Sequence, residues 1–244
     1  VIKVEVPQDQ ANKLVVDGWL YNDSTAILEL STTAPYFQNG STPRVTDAFV
    51  TLSNGSQTDT LYHISNGRYE NKKIIGEVGK TYLLTIKTKD GKEYTSVNTL
   101  PRGIKFDSIY FKPFNPKDSQ MFAFFSYQEN LGPGDYYMSR LTINDTVYRA
   151  PNDLNFTDDT FIDGAFVVDV FAGFHEVKKG NRVRVEGLSL TKACFNYLYQ
   201  IQQNTSNQGN LFSPPAAPIQ GNISNGALGL FRTCSRDAVT RIVP

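Results

Sequence analysis

Apolar and polar residues alternate along this chain in short runs. KLVVDGWL (13–20), TAILEL (25–30), DAFVTLS (47–53), KTYLLTIKT (80–88) and GKEYTSV (91–97) are rich in β-branched and aromatic residues. Turn residues interrupt them about every 8 to 12 positions, the spacing of an all-β sandwich or barrel. Ala48, Val50 and Leu52, and then Tyr82, Leu84 and Ile86, form period-two sets that face a core, with Thr51, Thr81 and Thr85 outward. Lys89-Asp90-Gly91-Lys92 is a hairpin signal, because Asp-Gly supplies the positive φ angles of a type I′ turn. The grammar of residues 45–99 resembles the small Ig-like or transthyretin-like sandwiches, an architecture that hosts many functions.

Leu100-Pro101-Arg102-Gly103 reads as a boundary. Beyond it, IKFDSIYF, MFAFFSY, DYYMSRLTIND, GAFVVDVF and NRVRVEGLSL again read as strands. The expectation is therefore an all-β protein in two parts. Residues 1–100 form an Ig-like sandwich, and residues 101–244 form a second β-sandwich or barrel-like domain carrying one short helix. That helix lies near 191–204. Thr191 can cap it, and Cys194, Tyr197, Leu198 and Ile201 fall at i, i+3, i+4 and i+7 to make one apolar stripe, flanked by Phe195 and Tyr199. Gly209 and Pro214-Pro215 end any continuation.

The 244 residues are 40% hydrophobic and 20% charged, which is ordinary for a globular chain. Acidic and basic residues balance at 24 each, so no basic excess points to nucleic acid or an anionic membrane surface. No apolar run approaches the roughly 18 to 20 residues that span a bilayer. The start at Val1, without methionine, is read as following a removed targeting segment or a trimmed end.

Catalytic motifs are missing from the pattern: no GxSxG elbow, no phosphate-cradling loop and no HExxH. His63, in a strand-like TLYHIS, and His175, in GFHEVKKG, read as structural or surface histidines. The chain is accordingly expected not to be an enzyme and to need no cofactor; the rival class is a hydrolase using two carboxylates. Asp153, Asp158, Asp159 and Asp163 can offer oxygen ligands to calcium, but their spacing is not that of an EF-hand, and a solvated loop is the better reading. Trp19, Tyr21, Tyr36, Phe37, Tyr136 and Tyr137 can stack on a sugar, although most of 29 Phe and Tyr residues must fill a core. Seven Asn-X-Ser/Thr sequences, at Asn22, Asn39, Asn54, Asn144, Asn155, Asn204 and Asn222, carry no functional weight by themselves. Cys194 and Cys234 have two readings: a disulfide between helix stripe and following strand, or two buried free thiols.

The order of pieces resembles one family, the Bacteroidota envelope lipoproteins grouped as domain of unknown function 4249. Leu14-Val15-Val16-Asp17-Gly18, Asp47–Leu52, Gly67-Arg68-Tyr69 and Gly79–Ser96 carry the resemblance in the first half. Ser189–Gln203, Phe212-Ser213-Pro214 and Gly221–Phe231 carry it in the second. The lipidated cysteine of that family is not in this sequence. The resemblance implies an outer-membrane lipoprotein, on the surface or periplasmic face, anchored by a lipid upstream of Val1. It also implies partnership with a TonB-dependent outer-membrane transporter in ligand capture or uptake, with the ligand unknown. The alternative is a cell-surface adhesin or glycan-binding module, which would use the same long loops, 34–42, 115–120, 151–164 and 208–221.

Overall fold

A computed structural model describes residues 13–34, 42–206 and 219–244. The extended lead, Tyr36, Phe37, most of the 34–42 loop and the Pro-rich stretch 212–218 lie outside the described residues. The fold is mostly β, with one α-helix and strands arranged as sandwiches. The chain divides into two compact units. Unit 1 takes the described residues within Val1–Thr99 together with Gln220–Arg232; unit 2 takes those within Leu100–Ile219 together with Thr233–Pro244.

In unit 1 the strands are β1 (Leu14–Tyr21), β2 (Thr25–Thr32), β3 (Phe49–Ser53), β4 (Thr58–Ser65), β5 (Arg68–Ile75), β6 (Thr81–Lys87) and β7 (Glu93–Thr99). The first residues of the last strand, β15 (Leu228–Ile242), join them, in the order β15-β1-β2-β5-β4-β3-β6-β7. Alternate residues of each strand build one core: Leu14, Val16 and Leu20 from β1, Leu28 and Leu30 from β2, and Tyr82, Leu84 and Ile86 from β6. β4 is shared between two sheets, pairing with β3 through Thr58–Leu61 and with β5 through Tyr62, His63 and Ser65. Strands that switch sheets in this way make the corners of a sandwich.

β5 carries few apolar residues, and a buried polar network holds it instead. The Asn71 carboxamide accepts the Ala26 N–H at 2.5 Å, where the β2–β5 register shifts, and donates to the Ile74 carbonyl at 2.8 Å. Asp59 on β4 accepts the N–H groups of Lys72 and Lys73 at 3.0 and 2.6 Å. The β6–β7 hairpin forms at Asp90-Gly91, but its turn differs from the expected type I′. Only Gly91 has positive φ, 82°, and its N–H donates to the Thr88 carbonyl at 2.9 Å. A type I turn followed by a left-handed glycine suits this longer connection.

Unit 2 contains β8 (Lys105–Pro113), β9 (Met121–Gln128), β10 (Tyr136–Ile143), β11 (Thr146–Val147), β12 (Asn155–Asp158), β13 (Phe166–Phe171), β14 (Arg182–Leu190), the helix α1 (Lys192–Ser206) and the rest of β15. β13-β9-β8 form a three-stranded sheet. β11-β10-β14-β15 form the facing sheet, with β12 also paired to β10. Ile109, Ala123, Phe125 and Tyr127 from the first sheet pack with Tyr137, Leu141, Val183 and Val185 from the second. At Gly187 on β14 a Cβ would lie 2.6 Å from Cζ of Phe106, so any side chain there would displace that ring.

Thr191 caps α1 by accepting the Cys194 N–H on its hydroxyl at 3.3 Å. The helix packs on β10 and β14, Cys194 is fully buried, and Gln202 donates to the carbonyls of Pro151 and Leu154 at 2.6 and 2.8 Å. Cys194 and Cys234 are both fully buried, and no S–S bond joins them.

The sequence expectation placed all of 101–244 in the second domain. Residues 220–232 instead return to unit 1. The reason is steric and polar: Gly229, at φ 95°, sits so close to β1 that a Cβ would meet the Val16 carbonyl oxygen at 1.9 Å, and Asn222 bonds to Asn98 on β7.

Candidate functional site

Unit 2 holds the chemistry-bearing residues, and the acidic loop comes first. Its carboxylates disperse on folding. Asp153 pairs with His175 at 2.8 Å, Asp158 accepts the Thr160 N–H at 3.1 Å, and Asp163 accepts the Gly132 N–H at 2.6 Å. The Asp158 bond is a local turn bond, whereas Asp153 and Asp163 tie the segment to other loops of unit 2. Among the described residues, Asp159 is the member of this loop that meets other acids. Its carboxylate, that of Glu129 and that of Asp135 each place an oxygen within 4.8 Å of the others.

Sequence reasoning missed Glu129 and Asp135, which lie on a different loop, 129–135. Glu129 is 1% exposed and accepts the Tyr137 hydroxyl at 2.7 Å and the Gly164 N–H. Burial first, then the Glu129 bond, pushes the Tyr137 phenol far up, so it stays a donor. Arg102 donates to Asp135 at 2.9 Å and to the carbonyls of Leu131 and Gly132, tying the loop to the segment that opens unit 2. Asp159 accepts the N–H groups of Gly134 and Asp135 at 2.6 and 2.9 Å. The three acids are the residues able to hold a cation, and their oxygens already accept protein hydrogen bonds that shape the loop.

Both histidines have structural occupations. His63 accepts the Gly67 N–H at 3.2 Å, and the His175 ring stacks on Tyr148 with centroids 3.5 Å apart. A polar cleft on unit 2 is lined by Arg140, Arg182, Arg184, Asp145 and Glu186. Its charges are paired: Arg140 and Arg184 with Glu186, Arg182 with Asp145.

Three of the described aromatic residues proposed from sequence for sugar stacking are occupied by neighbours. Trp19 lies under the Arg232 guanidinium, 5.6 Å from its ring, and Tyr136 is tilted against Phe195 at 5.1 Å. Tyr137 is buried.

A different aromatic group is exposed. Phe171 on β13 contacts Phe114 at 5.1 Å, Phe174 at 4.7 Å, Phe122 at 5.8 Å and Phe124 at 5.3 Å, all tilted or edge-on. Phe114 and Phe174 are 51% and 76% exposed. The bulge in β13 positions this group. Asp169 takes a left-handed φ of 58° between Val167 and Val170, where the register with β9 shifts. Its carboxylate is held by Lys112 at 2.7 Å and the Tyr110 hydroxyl at 2.6 Å, contacts that lower its pKa, Lys112 first. Lys112 also lies 4.6 Å above the Phe124 ring. The MFAFFSY run explains itself here. Ala123, Phe125 and Tyr127 face the core while Phe122 and Phe124 lie under the outer aromatic group, so both faces are apolar.

Between the two sheets of unit 2 lies a cavity of about 220 Å³. Phe106, Phe125, Tyr127 and Tyr137 supply aromatic walls, and Ser139 and Asn155 supply polar ones. Among the described residues no carboxylate lines it. Burial, with the charge of Glu129 second, raises the Tyr127 phenol to about 12.

No curated protein matches the chain. A family model described as domain of unknown function (DUF4249) matches residues 1–239, nearly the whole sequence, and the chain therefore belongs to that family.

Proposed function

We propose that this protein is a non-catalytic partner of an outer-membrane transporter of the TonB-dependent class, anchored by a lipid upstream of Val1 and aiding ligand capture or uptake. The family resemblance motivates the envelope setting. The observation that carries the partner role is the exposed aromatic face of Phe114, Phe171 and Phe174 with its Lys112–Asp169 rim. Aromatic anchors beside a charged rim are the usual make-up of a protein–protein contact. A sugar platform wants coplanar exposed rings. The rings here are inclined at 44° to 68°, and Trp19 and Tyr136 are covered by Arg232 and Phe195, which favours the partner reading over the adhesin or glycan-binding alternative.

The test is affinity purification of the tagged lipoprotein from detergent-solubilised envelopes, with mass spectrometry of what accompanies it. The reading expects a β-barrel transporter at stoichiometric yield, lost in Phe114→Ser/Phe174→Ser while the fold is retained. Recovery of the chain alone, or retention of glycans by the purified protein, counts against it.

A further inference from the structure

Packed interiors keep few voids larger than a water molecule, yet a partly open cavity of about 220 Å³ lies between the sheets of unit 2. A dry apolar cavity of about 150 Å³ is enough to take up benzene. The walls here present both ring faces and ring edges. Phe106 and Phe125 meet edge-on at 5.1 Å, and Tyr127 meets Tyr137 edge-on at 6.1 Å. Such surfaces complement an aromatic guest.

Two hydroxyls in the lining have no hydrogen-bond partner among the described residues. Tyr127 is 3% exposed, and its phenol oxygen makes no hydrogen bond, whereas the neighbouring Tyr137 hydroxyl is committed to Glu129. Ser139, 8% exposed, lies on the same face of β10 as Tyr137 and Leu141, and its hydroxyl is also unpartnered. Neither oxygen is among the fully buried side-chain atoms left without a partner, so both hydroxyls are reachable from the cavity and available to donate to a guest's acceptor. Among the described residues no charged side chain lines the space, and the carboxylate of Glu129 bonded to Tyr137 disfavours an anion.

We propose that this cavity binds a small neutral aromatic molecule carrying one hydrogen-bond acceptor, with the Tyr127 hydroxyl donating to that acceptor. The site belongs to unit 2 alone and does not rest on the transporter reading, so either can fail without the other.

The whole chain is titrated with three probes: acetophenone, which has the ring and an acceptor; ethylbenzene, which has the ring alone; and benzoate, which is anionic. Calorimetry gives affinities, and amide chemical shifts locate the site. Acetophenone is expected to saturate with shifts centred on Tyr127, Ser139 and Val170, to bind about fivefold tighter than ethylbenzene, and to exceed benzoate by more. Tyr127→Phe should equalise acetophenone and ethylbenzene, and Val170→Phe, which fills the cavity, should abolish both. Absence of saturable acetophenone binding, equal wild-type affinities for acetophenone and ethylbenzene, or preference for benzoate overturns the proposal. These wild-type comparisons decide it even where a variant does not fold.

Discussion

The side-chain amide of Asn222 bonds to both backbone groups of Phe231: its oxygen accepts the Phe231 N–H at 2.9 Å and its nitrogen donates to the Phe231 carbonyl at 2.7 Å. The same nitrogen reaches the Asn98 oxygen on β7 at 3.0 Å, and Asn98 donates in turn to the Phe231 carbonyl at 3.1 Å. β7 and β15 stand at opposite ends of the strand order in unit 1, so this pair of asparagines clasps the two ends together. The structural work of the GNISNGALGLF motif lies here.

Asn222→Ala removes three hydrogen bonds and leaves the Phe231 amide and the Asn98 oxygen short of partners. A loss of roughly 2 to 4 kcal/mol in unfolding free energy is expected, at about 1 kcal/mol or more per unsatisfied buried group. Urea denaturation followed by circular dichroism measures it. A change under about 0.5 kcal/mol would show that the clasp contributes nothing.

Gly229→Ala should be among the most damaging single-methyl additions in this chain. Its φ is 95° and the new Cβ would meet the Val16 carbonyl oxygen at 1.9 Å, a backbone atom that cannot rotate aside. Gly55 is the control, since it has a similar φ of 87° with nothing within 4 Å. Gly55→Ala should cost about 1 kcal/mol from backbone strain alone, while Gly229→Ala should prevent accumulation of folded protein or cost at least about 3 kcal/mol. Soluble yield and melting temperature of the two variants, compared side by side, decide it.

Asp59 predicts an acid-sensitive component of stability. Burial alone would raise its pKa, but the Lys73 and Lys72 N–H groups, then the Asn71 amide, outweigh burial, and the pKa ends below its ordinary 3.8. A carboxyl whose folded pKa is depressed stabilises fully above its unfolded pKa and loses that contribution as pH falls through the folded value. Wild-type unfolding free energy should therefore drop below about pH 4, and Asp59→Ala, less stable at pH 7, should drop less over the same range. Parallel pH profiles for the two proteins would remove Asp59 from the account.

Arg102→Lys should not substitute for the native residue. The guanidinium serves Asp135 and two carbonyls at once, a fork that a lysine ammonium does not reproduce. The side chain is partly exposed, so the expected loss is only about 1 to 2 kcal/mol. Amide hydrogen exchange in 129–135 should accelerate more than elsewhere in unit 2; uniform acceleration would mean the arginine acts globally.

Cys194 and Cys234 should be silent to a thiol reagent in the folded protein and should both react in denaturant without reductant. Both are fully buried and not joined by an S–S bond, and buried thiols are inert. Fewer than two reactive thiols after denaturation would mean a disulfide forms.

Period-two patterning carried much of the fold. Tyr82, Leu84 and Ile86 face the core as their alternation requires, because a strand turns every second side chain to the same face. Thr191 and the Cys194–Ile201 stripe likewise announce α1 through a cap and a helical period. Arg68–Ile75 gave no such signal as a strand, because its anchor is the buried amide of Asn71 and its partners come from residues 26 and 59. The same limit applies to the candidate sites. Glu129 and Asp159 lie far apart in sequence, and Phe114, Phe171 and Phe174 become one exposed group only through the β8–β9–β13 sheet and its bulge at Asp169. Local propensity and periodicity depend on neighbours along the chain, so the sequence by itself determined the all-β class, the helix and its cap. The return of 220–232 to unit 1, the joining of distant acids and the cavity beside Tyr127 depend on long-range pairing, and only the tertiary structure decided them.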